Sequence, residues 1–163
     1  MTEPQRARGA GGSGFGGPTD DEIAATLAAQ PAERWARLFS LAGALSPAGL
    51  QVPWGGGQKL AAGSVQVPHP LHGDAIDEVV ALLYELKVIV VFDWQQWHRT
   101  TPLFPDGRGL AGAPVADAAR LATTFVRGER FSDGAIHRAI ETGALRAILD
   151  RLRRWFDDER PAA

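Results

Sequence analysis

The sequence predicts an α+β domain, mainly helical, in which about six helices surround a small two- or three-stranded sheet. Three observations carry that prediction. Apolar residues recur at helical spacing in several stretches, most cleanly at Leu145, Ile148, Leu149, Leu152, Trp155 and Phe156. Residues 88–92, Val-Ile-Val-Val-Phe, are too few for an ordinary helix and lack polar alternation, which is the pattern of a buried strand. Between residues 50 and 70 the chain turns to Pro, Gly and short apolar pairs, and 51–54 and 64–67 read as two short strands that their prolines restrict to edges or ends.

Taken in order, residues 1–18 are glycine-rich and have little to bury, so a disordered tail is expected, with Phe15 a stray aromatic in it, followed by one globular domain over 19–160. Thr19 and Glu22 make a Thr-x-x-Glu capping box for a first helix reaching to about residue 30. Pro31 suits the first turn of a second helix, whose stripe is Trp35, Leu38, Phe39, Ala42 and Leu45, with Gly43 and Ser46-Pro47 ending it. Asp74 is expected to cap a third helix with Ile76, Val79, Val80, Leu83 and Leu86 inward. Asp93 stops the central strand and N-caps a short helix. Gln96 is placed to complete a capping box, and Phe92 with Trp97 to form a hydrophobic staple. Residues 102–112 carry turn chemistry and read as a surface loop. Pro114 then opens a helix with Val115, Ala118, Ala119, Ala122, Phe125 and Val126 on one stripe, and Gly128 is expected to close it in the left-handed conformation. Ser132 reads as the N-cap of a short helix that ends near Gly143, with Phe131 and Ile136 as a second staple.

Composition bounds the function. At 163 residues the chain is long enough for a core without disulfides or metal clips, and it has no cysteine, which removes thiolate catalysis and cysteine zinc sites. Lys plus Arg is 17 against 19 acidic residues, a net charge of −2, so there is no global basic field for nucleic acid. No apolar run approaches the roughly 20 residues of a membrane span and no signal peptide opens the chain, so a soluble cytoplasmic protein is expected. Gly55, Gly56 and Gly57 invite a phosphate-loop reading, but no Gly-Lys-Ser/Thr follows. His69, His72 and Asp74 have metal-ligand chemistry within six positions, yet no further ligand lies nearby, and neither a metal nor another cofactor is expected.

The pattern Phe92-Asp93-Trp94-x-x-Trp97, followed by Arg127-x-x-Arg130-Phe131-Ser132-Asp133-Gly134 and then Ala139-Ile140-Glu141-Thr142-Gly143-Ala144-Leu145, resembles the domain-of-unknown-function 6508 family of small bacterial proteins over residues 50–153. The resemblance implies a bacterial source and no known activity, substrate or cofactor. At His69 and His72 the chain departs from the family's aromatic residues, so a metal site there would not be a family property.

The functional expectation is a non-catalytic interaction or ligand-binding module built on Asp93, Trp94, Trp97, Arg127, Arg130, Phe131 and Asp133. Its partner would be a protein or a small anionic ligand. Two guanidinium groups beside a helix start suit a carboxylate or phosphate, and tryptophans at a strand-to-helix corner suit a pocket wall. Two alternatives stand beside it. Arg146, Arg151, Arg153 and Arg154 on the last helix, after the glycine turn at Gly143, allow DNA binding. Asp93 with His98 is the single local acid–base pair that would serve an enzyme of unknown reaction.

Overall fold

The computed structural model describes residues 14–45, 54–57, 59, 61–65, 69–70 and 73–162, and among these the fold is helical. Seven α-helices follow one another: α1 (Asp20–Ala28), α2 (Ala32–Ala44), α3 (Asp74–Glu85), α4 (Trp94–Thr100), α5 (Val115–Gly128), α6 (Ala135–Glu141) and α7 (Ala144–Arg154). A 3₁₀ turn (Leu110–Gly112) precedes α5, and a π turn (Trp155–Glu159) extends α7. None of the helices is long and apolar enough to cross a membrane.

The chain is organised around α5. Its residues are buried almost all round, from Val115 and Ala116 to Phe125 and Val126, because α1, α4, α6 and α7 all pack on it. Ala116, Ala118, Ala119 and Ala122 present only methyl groups, so several helices can approach one axis. At the other end of the core, α2 meets the π turn through rings: Trp35, beside Phe39 of its own helix at 5.8 Å, lies 5.7 Å from Trp155 and 5.8 Å from Phe156.

The expected α+β class is overturned by this arrangement. Residues 88–92 form no strand, because their amides are taken by other groups: Val88 N–H donates to Leu83 O at 2.9 Å and Val90 N–H to Thr123 Oγ1 at 3.0 Å. The β-branched run signalled burial against helices rather than pairing. Among the described residues, extended pairing is confined to a two-residue antiparallel ladder, Trp54 opposite Pro70 and Gly55 opposite His69, and a bridge between Lys59 and Val65. A ladder of two residues has no face with which to cover a core. Residues 51–53 and 66–67 of the two expected strands lie outside the described residues, as do Ser46 and Pro47.

Local signals at several helix ends are realised. Thr19 N–H donates to Glu22 Oε2 at 2.8 Å and Glu22 N–H to Thr19 Oγ1 at 3.3 Å, a complete capping box. Asp93 caps α4 by accepting from Gln96 N–H at 3.0 Å, and Phe92 meets Trp97 edge-on at 5.9 Å as a staple requires. The return arm from Gln96 is absent because Asp93 N–H donates to Phe15 O at 2.9 Å. Phe15 itself packs partly buried against the core, so it is an anchor rather than a stray aromatic. Gly17 takes φ +87° with its backbone against Val91 O and Phe92, leaving no room for a Cβ.

Other ends differ from the sequence reading. α3 starts at Asp74, with Gly73 as its cap. It closes in a Schellman motif in which Val88 N–H reaches Leu83 O and Lys87 N–H reaches Tyr84 O, with Lys87 left-handed at φ 59° where glycine is usual. Gly128 is not left-handed; the chain runs on through a right-handed Glu129, and the left-handed glycine is Gly134 at φ 100°. Residues 102–112 are no free surface loop, since Leu103 and Leu110 are buried and Pro105 O accepts from Thr142 Oγ1 at 3.2 Å.

Two arginines are buried and paired. Arg120 on α5 reaches Asp20 at 2.7 Å and Asp117 at 3.0 Å, which ties α1 to α5. Burial pushes the Asp117 carboxyl above its ordinary range, and the hydrogen bond from Arg120 opposes that rise. Arg151 bridges Ala113 O and Glu159, at 2.9 Å from each carboxylate oxygen.

Candidate functional site

Two concavities meet at Trp94 and Phe131. The Asp93 cap sets Trp94 at the first position of α4, so its ring stays at the surface while Trp97, a turn on, enters the core. Phe131 stands on the turn after α5, where Phe131 and Ser132 N–H both donate to Gly128 O at 3.0 and 2.9 Å. The carboxylate of Glu129 takes the amides of Gly134 at 3.1 Å and Ile136 at 2.7 Å, so it caps α6 in place of the expected Ser132. The turn thereby points Phe131 outward. Its side chain is 74 % exposed, which excludes the expected staple with Ile136, and its ring faces Trp94 at 5.9 Å.

On one side of this ring pair an aromatic arc continues. Trp94 lies 6.1 Å from His98, His98 meets Phe104 edge-on at 5.2 Å, and Phe104 stacks on Phe125 at 5.5 Å. The arc encloses a cavity of about 180 Å³ whose polar lining is His98, Thr124, Ser132 and Arg138. The Thr124 hydroxyl is committed, donating to Arg120 O at 2.9 Å. His98 Nδ1 lies 3.2 Å from Trp94 O; a carbonyl only accepts, so Nδ1 carries the hydrogen and Nε2 is the acceptor of the neutral ring. On the other side, a concavity of about 240 Å³ runs between residues 90–92 and the end of α5, with Arg127 and Arg130 in its wall. Among the described residues no carboxylate lines either space.

The arginines here are electrostatically free. Elsewhere Arg34 pairs with Glu85, Arg37 with Glu78, Arg108 with Asp106, Arg120 with Asp20 and Asp117, and Arg160 caps the carbonyls of Ala28 and Gln30. Among the described residues Arg127, Arg130 and Arg138 have no such partner, and of the others only the exposed Arg99 shares that state. The carboxylates of Asp93 and Glu129 are turned to helix N-termini, and that of Glu141 lies 3.0 Å from His137.

The structure therefore brings together four of the residues singled out from sequence, Trp94, Phe131, Arg127 and Arg130. It separates the other three: Trp97 is core, Asp93 is a cap, and Asp133 is exposed and lines neither space. His98 bonds to Trp94 rather than to Asp93, so the acid–base pair has no contact behind it. Sequence reasoning missed Phe104, Phe125, Ser132 and Arg138. The readable signal was the i, i+4 spacing of Trp94 and His98, which puts both rings on one face of α4.

The last helix offers no comparable surface. Arg151 is buried, Arg146 pairs with Asp150 at 3.1 Å, Arg153 lies 3.6 Å from Asp157, and Arg154 donates to Ala111 O at 3.0 Å. Among the described residues no group of three His, Asp or Glu is placed to hold a metal, and His72 lies outside them.

No curated protein and no solved structure matches the chain. The model of the Family of unknown function (DUF6508) matches residues 30–158, a span that holds the aromatic arc and the three free arginines, and the chain belongs to that family.

Proposed function

We propose that this protein is a non-catalytic binding module that receives one planar apolar group, attached to an anion, in the space between α4, α5 and α6. The observation that carries this reading is the aromatic arc from Phe131 to Phe125 around a cavity of about 180 Å³ with no carboxylate among its described lining residues. A dry cavity of about 150 Å³ accommodates one benzene ring, so the space suits a single ring rather than a nucleotide. The free Arg138 guanidinium and His98 Nε2 supply a cation and an acceptor at its edge. Among the described lining residues acid–base chemistry would rest on His98 with no second carboxylate or imidazole, which argues for binding over turnover.

The test is a thermal-shift and calorimetric titration of the full chain with phenylacetate, 4-hydroxyphenylacetate and the neutral phenylacetamide. Saturable binding of the two acids is expected, with weaker binding of the amide; at one hundred times Kd a ligand adds about 2.7 kcal/mol. Phe131→Ala and Arg138→Gln should each remove most of it. Equal, non-saturating responses in the parent and both variants would sink the reading.

A further inference from the structure

We propose that the site extends past the Trp94–Phe131 pair, and that its natural occupant is an acidic segment of a partner protein that seats one aromatic side chain in the arc and lays carboxylates over Arg127 and Arg130. This rests on the pocket reading above. Each of the two spaces, about 180 and 240 Å³, is smaller than the roughly 300–1,000 Å³ of a site for a whole drug-sized molecule. Each holds a side chain. A ridge separates them, and its crest is Phe131, 74 % exposed, with Val91, 76 % exposed, beyond it in the wall of the second space. A large aromatic at such exposure, flanked by arginines, has the composition of a binding hot spot.

Charge decides the chemistry of the occupant. In a chain of net charge −2, three of the four arginines without a partner among the described residues stand around one ridge, and no described carboxylate lines the spaces on either side of it. An unpaired guanidinium next to an apolar wall gains most from a carboxylate, which it grips through two parallel hydrogen bonds. A partner's extended backbone adding to residues 89–91 is not part of the proposal, since Gly17 already lies against the Val91 carbonyl and Val90 N–H is taken by Thr123.

The experiment uses the full chain and fluorescein-labelled hexapeptides of glutamate with one phenylalanine placed at each position in turn, read by fluorescence anisotropy. At least one is expected to bind saturably. Its affinity should fall by about tenfold or more when glutamates become glutamines, when phenylalanine becomes alanine, and in the Arg127→Gln/Arg130→Gln variant. Raised salt should weaken it. Arg130 is exposed and Arg127 half-buried, and melting curves of the variant check that it folds. Indifference to the glutamate-to-glutamine change, or no peptide binding alongside saturable phenylacetate binding, overturns the partner and leaves the pocket reading standing. If phenylacetate also fails, both fall. A dimer in sedimentation that Phe131→Glu dissolves, or a single-stranded oligonucleotide that needs Arg127 and Arg130, also overturns the proposal by naming a different occupant.

Discussion

Val90 N–H donates to the hydroxyl of Thr123 at 3.0 Å, and that hydroxyl in turn donates to Ala119 O at 2.8 Å, one turn back along α5. An extended segment is thus tied to a helix by a side chain instead of to a second strand. Thr123 is fully buried, so its oxygen is where that amide is satisfied. Thr123→Val keeps the shape and removes the acceptor. It should cost about 0.5–1.5 kcal/mol, the net contribution of a hydrogen bond to a half-buried amide. Urea denaturation checks this, and hydrogen exchange at Val90 should speed up in the variant even where the global stability is preserved.

Gly17 is held at φ +87° with its Cα against Val91 O and Phe92. Gly17→Ala adds a Cβ where the backbone stands and a left-handed strain besides, so the segment carrying Phe15 should lift off. A loss of at least about 1 kcal/mol is expected. The local readout is the Asp93 amide, which donates to Phe15 O; its exchange should accelerate strongly, while that of Gln96, bonded to the Asp93 side chain, should change less.

Lys87 occupies the left-handed position of the Schellman motif that ends α3. A lysine there carries steric strain of about 1–2 kcal/mol that glycine lacks, offset in part by the greater freedom of glycine in the unfolded chain. Lys87→Gly should therefore stabilise the protein by about 0.5–1 kcal/mol. A midpoint that falls instead would mean the lysine side chain contributes packing that outweighs its backbone strain.

Asp117 supplies a pH dependence. Its folded-state pKa is raised above the ordinary 3.8 by burial, so between these values the folded protein binds more proton than the unfolded chain. Stability from this group is highest in acid and falls as pH rises through that window. Measured in urea from pH 3 to 7, the parent should lose stability relative to Asp117→Asn as pH increases. The opposite slope would show that the pairing with Arg120 outweighs burial.

Phe92, Asp93 and Trp97 show how far local chemistry reaches. A cap needs one side-chain oxygen and a staple needs two apolar residues at fixed offsets, so both were legible from six consecutive residues. The capping box of α1 and the inward stripes of α2, α3, α5 and α7 were legible for the same reason. Residues 88–92 were misread because β-branched burial has the same sequence pattern whether the neighbour is a strand or a helix.

By itself, then, the sequence determined the helices with their caps and inward faces, and the family resemblance that places Trp94 and Phe131 in its two motifs. These depend on spacing within a few residues. Tertiary structure alone decided that α5 is the centre, that Trp97 is core while Trp94 is wall, and that Phe104, Phe125 and Arg138 line the cavity beside it. Those facts depend on which helix packs on which, and a packing contact between distant residues leaves no periodicity to read.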